Sequence, residues 1–148
     1  MNPTMNDFGA YIAGRYAAIS TLTAGGTGDA TEVDGEWIDR RGFHSLSVFF
    51  IYTSSLTATK TLSLAANLQD ASDSSGTGAA DFGDAYAATV QATGAGTKIG
   101  VKQLDFDLRM ASSHVRIQYT PDLSHTGTDT ATVAVLYVLG GAEALPAV

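Results

Sequence analysis

Between Thr61 and Leu68 every second residue is apolar: Leu62, Leu64, Ala66 and Leu68 alternate with Thr61, Ser63, Ala65 and Asn67. Alternate side chains of an extended chain point to opposite faces, so this pattern suits a half-buried strand and no helix. The same period returns along most of the chain. Ala17 to Thr23 sets Ile19 and Thr21 against Ser20 and Leu22. Leu46, Val48, Phe50 and Tyr52 share one face of Ser45 to Thr53. Phe49 and Ile51 occupy the other face, which predicts a strand covered on both sides. Leu104, Phe106, Leu108 and Met110 alternate with Asp105, Asp107 and Arg109, a strand with one wet face. Val115, Ile117 and Tyr119 follow, then Val133, Val135, Tyr137 and Leu139.

Shorter pieces join these. Ala30 to Val33 alternates weakly, Glu36 to Asp39 reads as a short strand with Trp37 as a buried anchor, and Tyr86 to Ala92 is a further strand. The breaks are rich in turn residues, namely Gly25-Gly26-Thr27-Gly28, Thr93-Gly94-Ala95-Gly96 and Ser124 to Asp129. Asp70 to Asp84, dense in Asp, Ser and Gly, reads as one long exposed loop, and Pro121 as the stop of its strand. About eight short strands with no helical stretch of 10–15 residues between them exclude a βαβ chain. The expected fold is all-β, a single antiparallel β-sandwich of jelly-roll-like type. Its 148 residues suit one domain.

The ends read differently. Phe8, Tyr11, Ile12, Tyr16 and Ile19 recur at spacings of three or four, which fits a short amphipathic helix weakened by Gly9 and Gly14. Residues 1–16 are therefore expected as an extended or short-helical N-terminal arm, 17–140 as the sandwich, and 141–148 as a C-terminal tail. Two readings stand for the arm: a terminus without fixed structure, and a segment that orders against a neighbouring subunit. In the second, Phe8, Tyr11 and Tyr16 would be its partner contacts, because aromatic anchors concentrate binding energy.

Composition decides between a folded domain and a linker. Ala, Thr, Gly and Ser number 23, 18, 16 and 12, a surplus that in isolation resembles a flexible tether. Thr and Ser, however, fall on the outward positions of alternating strands, and Gly gathers in turns. With 8 Lys and Arg against 15 Asp and Glu, the net charge is −7. Such a surface releases few counterions from DNA or RNA, so no nucleic-acid partner is expected. No apolar run nears the ~20 residues that span a bilayer, and residues 1–24 hold no basic stretch followed by an apolar core. The chain is expected to be soluble, without a signal peptide or membrane partner.

Catalytic and ligand motifs are not legible. Zero cysteines remove disulfides, thiolate zinc sites and cysteine nucleophiles. His44, His114 and His125 stand in no zinc-ligand spacing and read as strand-edge histidines. Gly25-Gly26-Thr27-Gly28 opens no helix and lacks a following Lys, so it offers nothing to hold a phosphate. Asp70, Asp73, Asp81 and Asp84 invite a calcium reading, but their intervals match no calcium loop and no Glu closes them. Asp105 and Asp107 share a strand face with Arg109, and neutralisation by Arg109 and Arg116 across strands is the expected arrangement. No catalytic, cofactor-binding or metal-binding residue is assigned, and no enzyme is expected.

Three segments carry a family resemblance: Arg41-Gly42-Phe43-His44-Ser45-Leu46-Ser47-Val48 with its polar loop beyond, His114 to Tyr119, and Thr130 to Gly140. Over residues 17–148 the chain resembles small structural proteins of tailed-bacteriophage virions, of the capsid decoration or cementing type. Glu143-Ala144-Leu145 stands where that group carries a basic residue, and Ser72 to Ala85 is an insertion relative to it. The resemblance implies a non-enzymatic β-sandwich on the capsid exterior, assembled in the host cytoplasm. Its implied partners are the major capsid protein and further copies of itself, with a trimer favoured and no cofactor. Another virion component, such as a tail, neck or fibre protein, and a carbohydrate-binding or cell-surface sandwich are the alternatives.

Overall fold

Nine strands carry the alternation into space in a computed structural model that describes residues 8–144. A 3-10 turn at Phe8–Ala10 leads into β1 (Ala13–Thr23). Two short strands follow, β2 (Val33–Asp34) and β3 (Ile38–Asp39), and then β4 (Phe43–Leu56), β5 (Thr61–Ala71) and β6 (Ala80–Thr93). The last three are β7 (Gly96–Asp107), β8 (His114–Leu123) and β9 (Thr130–Ala142). One sheet has the order β1-β9-β4-β7; the other runs β2-β8-β5-β6, with β3 also on β8. Every pairing is antiparallel. If β2 and β3 count as one interrupted strand, eight strands form two four-stranded sheets in jelly-roll order. The expected all-β sandwich is the fold observed.

The core lies between the sheets and is built from the expected alternating residues. Leu46, Val48 and Phe50 of β4 meet Leu62, Leu64 and Leu68 of β5, with Ile117 and Tyr119 of β8 and Val133, Tyr137 and Leu139 of β9. The rings of Phe50 and Tyr119 meet edge to face at 5.6 Å between centroids. Such aromatic pairs add about 0.5–1.5 kcal/mol beyond the area they bury.

Two tyrosines tie the layers together by polar contacts. The Tyr137 hydroxyl accepts a 2.8 Å hydrogen bond from the Ile117 N–H and donates to the Glu36 carbonyl at 3.2 Å. This falls where the chain breaks between β2 and β3, so a side chain from the opposite sheet satisfies an N–H that no strand reaches. Gly35 lies at that break because a Cβ there would stand 2.5 Å from the hydroxyl. Tyr52 covers Gly100, its cross-strand neighbour, and donates at 2.8 Å to the Gln91 carbonyl of β6.

Several expectations change. The helical spacing of Tyr11, Ile12, Tyr16 and Ile19 does not make a helix, since β1 already begins at Ala13. A bulge between Tyr16 and Ala18 inserts one extra residue against β9. Tyr16 and Ile19, three apart, therefore both point outward, imitating a helical interval. The long loop at 70–84 shrinks to residues 72–79, because Asp81 to Ala85 belong to β6. β6 is an edge strand with three register shifts against β5, so it needs little apolar content to pair.

Pro121 does not stop β8; it lies in register opposite Leu64. Its carbonyl faces away from β5 and accepts from the Ala30 N–H at 3.0 Å. The missing N–H would face the same way, beyond the end of short β2, and no ladder bond is lost. Ile38, not Trp37, is the buried anchor of β3, and Trp37 is half-buried under the Arg116 guanidinium. Finally, β4 is covered on one side alone: Phe49 is half-buried and Ile51 is 47% exposed.

Candidate functional site

The outer face of the β2-β8-β5-β6 sheet carries the richest polar arrangement. Alternation turns Asn67 and Gln69 of β5 outward beside Arg116 and Gln118 of β8. Asn67 donates to Asp81 at 2.9 Å and to the Gln118 side-chain oxygen at 3.2 Å, and Gln69 donates to Asp81 at 3.1 Å. Arg116 donates to Gln69 at 3.1 Å, pairs with Asp34 at 3.0 Å, and lies 4.7 Å over the Trp37 ring. Gln118 donates to Asp34 at 2.6 Å and to Glu32 at 3.3 Å. The result is a shallow polar groove whose amides and acids engage one another. It presents hydrogen-bonding groups over a wide area, with no nucleophile placed beside a base.

A second cluster stands where β4 begins and β7 ends. Asp107 forms a bidentate pair with Arg109, and the bound guanidinium holds its carboxyl down at about 2. Asp105 accepts from Ser47 at 2.5 Å and Gln103 at 2.7 Å, and these donors hold it below the usual carboxylate range. His44 and Glu143 approach to 3.3 Å nearby. The Asp107–Arg109 pair is local, two residues apart, rather than the expected cross-strand one. Arg116 neutralises Asp34 on the other sheet instead of either acid. A second pair of the same local kind, Arg41 with Asp39, keeps Asp39 at about 2.

The four loop aspartates do not converge. Asp70 accepts from the Ser112 N–H at 2.7 Å, and Asp73 accepts from the N–H groups of Ser75 and Thr77. Asp81 faces the amides described above, and Asp84 stands exposed on β6. Each of the first three is engaged with its own protein donors. Among the described residues no group of three or more His, Asp or Glu side chains is placed to hold a metal ion. No helix among them is long and apolar enough to cross a membrane.

His44 and His114 lie at the starts of strands as expected, whereas His125 lies outside any strand. His114 opens β8 with Nδ1 2.9 Å from the Ser113 hydroxyl, and His125 sits in the β8–β9 turn, 3.9 Å from Asp129. Of the aromatic residues expected as partner contacts, Phe8 lies in the 3-10 turn, Tyr11 is half-buried just after it, and Tyr16 is 59% exposed on β1. Tyr16 therefore belongs to the sheet. The polar groove was not legible in sequence, because its seven hydrogen-bonded members come from four separate segments.

No protein-family model matches the sequence, and none of the curated proteins compared with it matches either. Solved structures do show similar shapes. A chain of infectious bursal disease virus, Gx strain, matches with a TM-score of 0.43 and 14% identity over 91% of this chain and 33% of that one. The enzymatically active domain of tailspike protein 4 from bacteriophage CBA120 matches with a TM-score of 0.43 and 10% identity, over 86% of this chain and 19% of the other. The globular domain of zebrafish complement 1qA gives 0.38 and 10%, over 89% and 97%. This chain thus spans a third or less of the two viral chains.

Proposed function

We propose that this protein is a structural component of a virion, and that it decorates and stabilises a phage capsid from the exterior without catalysis. The observation that carries the reading is the jelly-roll order of the two sheets, an architecture recurrent in viral capsid domains. The segments that resemble phage decoration proteins fall on three of its strands, β4, β8 and β9. Its chemistry suits that role: carboxylates are held in local pairs, and no thiol is available to oxidise. The major capsid protein and further copies of the chain, three by the resemblance, are the proposed partners. Co-sedimentation with expanded capsids lacking this protein tests the proposal. Binding that saturates at a fixed ratio to the capsid lattice is expected. A chain left in the supernatant, or one incorporated into tails, would overturn it.

A second reading rests on the outer groove of amides and acids. Planar amides and carboxylates beside a tryptophan can engage sugar hydroxyls, and lectins share the jelly-roll architecture. Binding on a glycan array that Asn67→Ala and Gln118→Ala together abolish would favour a carbohydrate-binding module. Absence of binding would remove it.

A further inference from the structure

We propose that the outer face of the β1-β9-β4-β7 sheet packs against the same face of a second copy of this chain. Six of the eight large apolar side chains exposed among the described residues lie on it: Tyr16, Ile19, Ile51, Ile99, Val101 and Leu136, each 38–78% exposed. Register makes them contiguous. Ile19, Ala134, Ile51 and Val101 form one row across all four strands, and Tyr16, Leu136, Phe49 and the uncharged Gln103 form the next. A row of threonines ending in Ile99 follows on the far side. No Asp, Glu, Lys or Arg stands in these three rows, in a chain of net charge −7.

The size of the patch fits a subunit interface. At roughly 150–250 Å² for a large side chain, the six expose on the order of 600 Å². That is the upper end of what a monomer leaves bare, about 300–600 Å². With the flanking threonines it approaches the ~800 Å² that each partner contributes to a standard interface.

Charge and chemistry point to a copy as the occupant. The partner face must be flat, apolar and uncharged, and the opposite face of this sandwich is a charged hydrogen-bonded network that does not fit. A two-fold axis across the strands lays each apolar band on the other. It also sets the Asp105–Asp107 end of one copy over the threonine end of the other, so acids do not meet acids. The contact resembles the packing already inside the molecule, sheet on sheet at about 10 Å. It concerns the isolated chain and holds apart from any particle.

Light scattering on the eluting protein tests this. The parent should run as two chains or a multiple of two, against 15.3 kDa for one. Ile19→Lys with Val101→Lys should reduce that mass to a single chain. Both positions are exposed on edge strands, and the two lysines reduce the magnitude of the net charge of −7 rather than adding to its repulsion. A parent of one or three chains, or a mass that the double variant leaves unchanged, would overturn the proposal. A second measurement needs no charge change. The chain has no cysteine, so Ala134→Cys at the centre of the face should give disulfide-linked pairs on mild oxidation. Ser63→Cys, on the outside of the other sheet, should not. Equal linking in both variants, or none at position 134, would sink the face-to-face arrangement.

Discussion

Tyr137 shows how much one hydroxyl does in this core. It is fully buried, and burial pushes its phenol well above the ordinary tyrosine range, so it stays neutral and able to donate. Tyr137→Phe would strand the Ile117 N–H and the Glu36 carbonyl in the gap between β2 and β3. A buried group left unpaired costs about 1–3 kcal/mol, and urea denaturation should show a loss of that size. A change below about 0.5 kcal/mol would mean that the hydroxyl carries no such role. Ser54 presents the opposite case: its Oγ is buried without a hydrogen-bond partner. Ser54→Ala removes the unpaired group at little cost in volume and should be neutral or stabilising by up to ~1 kcal/mol. Destabilisation in the same assay would show that the hydroxyl is paired.

The strands differ sharply in how they are held. β4 and β9 lie inside their sheet, each with a long ladder on both sides. β6 has one neighbour, three register shifts and a side-chain pattern that is mostly exposed. Local opening follows buried contacts and paired neighbours. Amide hydrogen exchange should therefore be slowest in β4 and β9, at the level of global unfolding, and fastest among the strands in β6. Protection of β6 equal to that of β4 would contradict this order. β1 shows why element boundaries escape sequence reading. Its bulge lets both Ala17 and Ala18 stay buried, and the Ala17 carbonyl accepts from the Glu36 N–H at 2.9 Å, closing that flank of the sandwich. An inserted residue breaks the period of two, so Tyr16 and Ile19 imitate a helix face.

Across the whole molecule, acids in excess of bases set the response to pH. Asp39 and Asp107, ordinarily at 3.8, are held at about 2 by their arginines. A carboxyl lowered on folding contributes stability above its unfolded value and loses it as pH falls through the folded one. The pairs therefore help above about pH 4 and cease to help near pH 2. Both are exposed, so the effect is small and screened by salt. Asp39→Asn with Asp107→Asn should flatten the decline in urea midpoint between pH 4 and pH 2. A decline identical to that of the parent would show that these pairs contribute nothing.

Local chemistry was enough to name the fold class and most of the core, because alternation reports directly which side of a strand meets apolar neighbours. Leu62, Leu64 and Leu68 could be placed inward without knowing what they touch. Turn residues likewise marked most of the strand ends. Alternation does not report whether the second side of a strand has a neighbour. The apolar Phe49 and Ile51 look the same in sequence whether another layer covers them or not. Folding settled that point: the second sheet packs on one side of β4 alone, leaving Ile51 bare beside Ile19 and Val101. The polar groove also came from folding, since Asp34, Asn67, Asp81 and Gln118 become neighbours through pairing across 84 residues. Long-range register created both faces, and no local pattern encodes it.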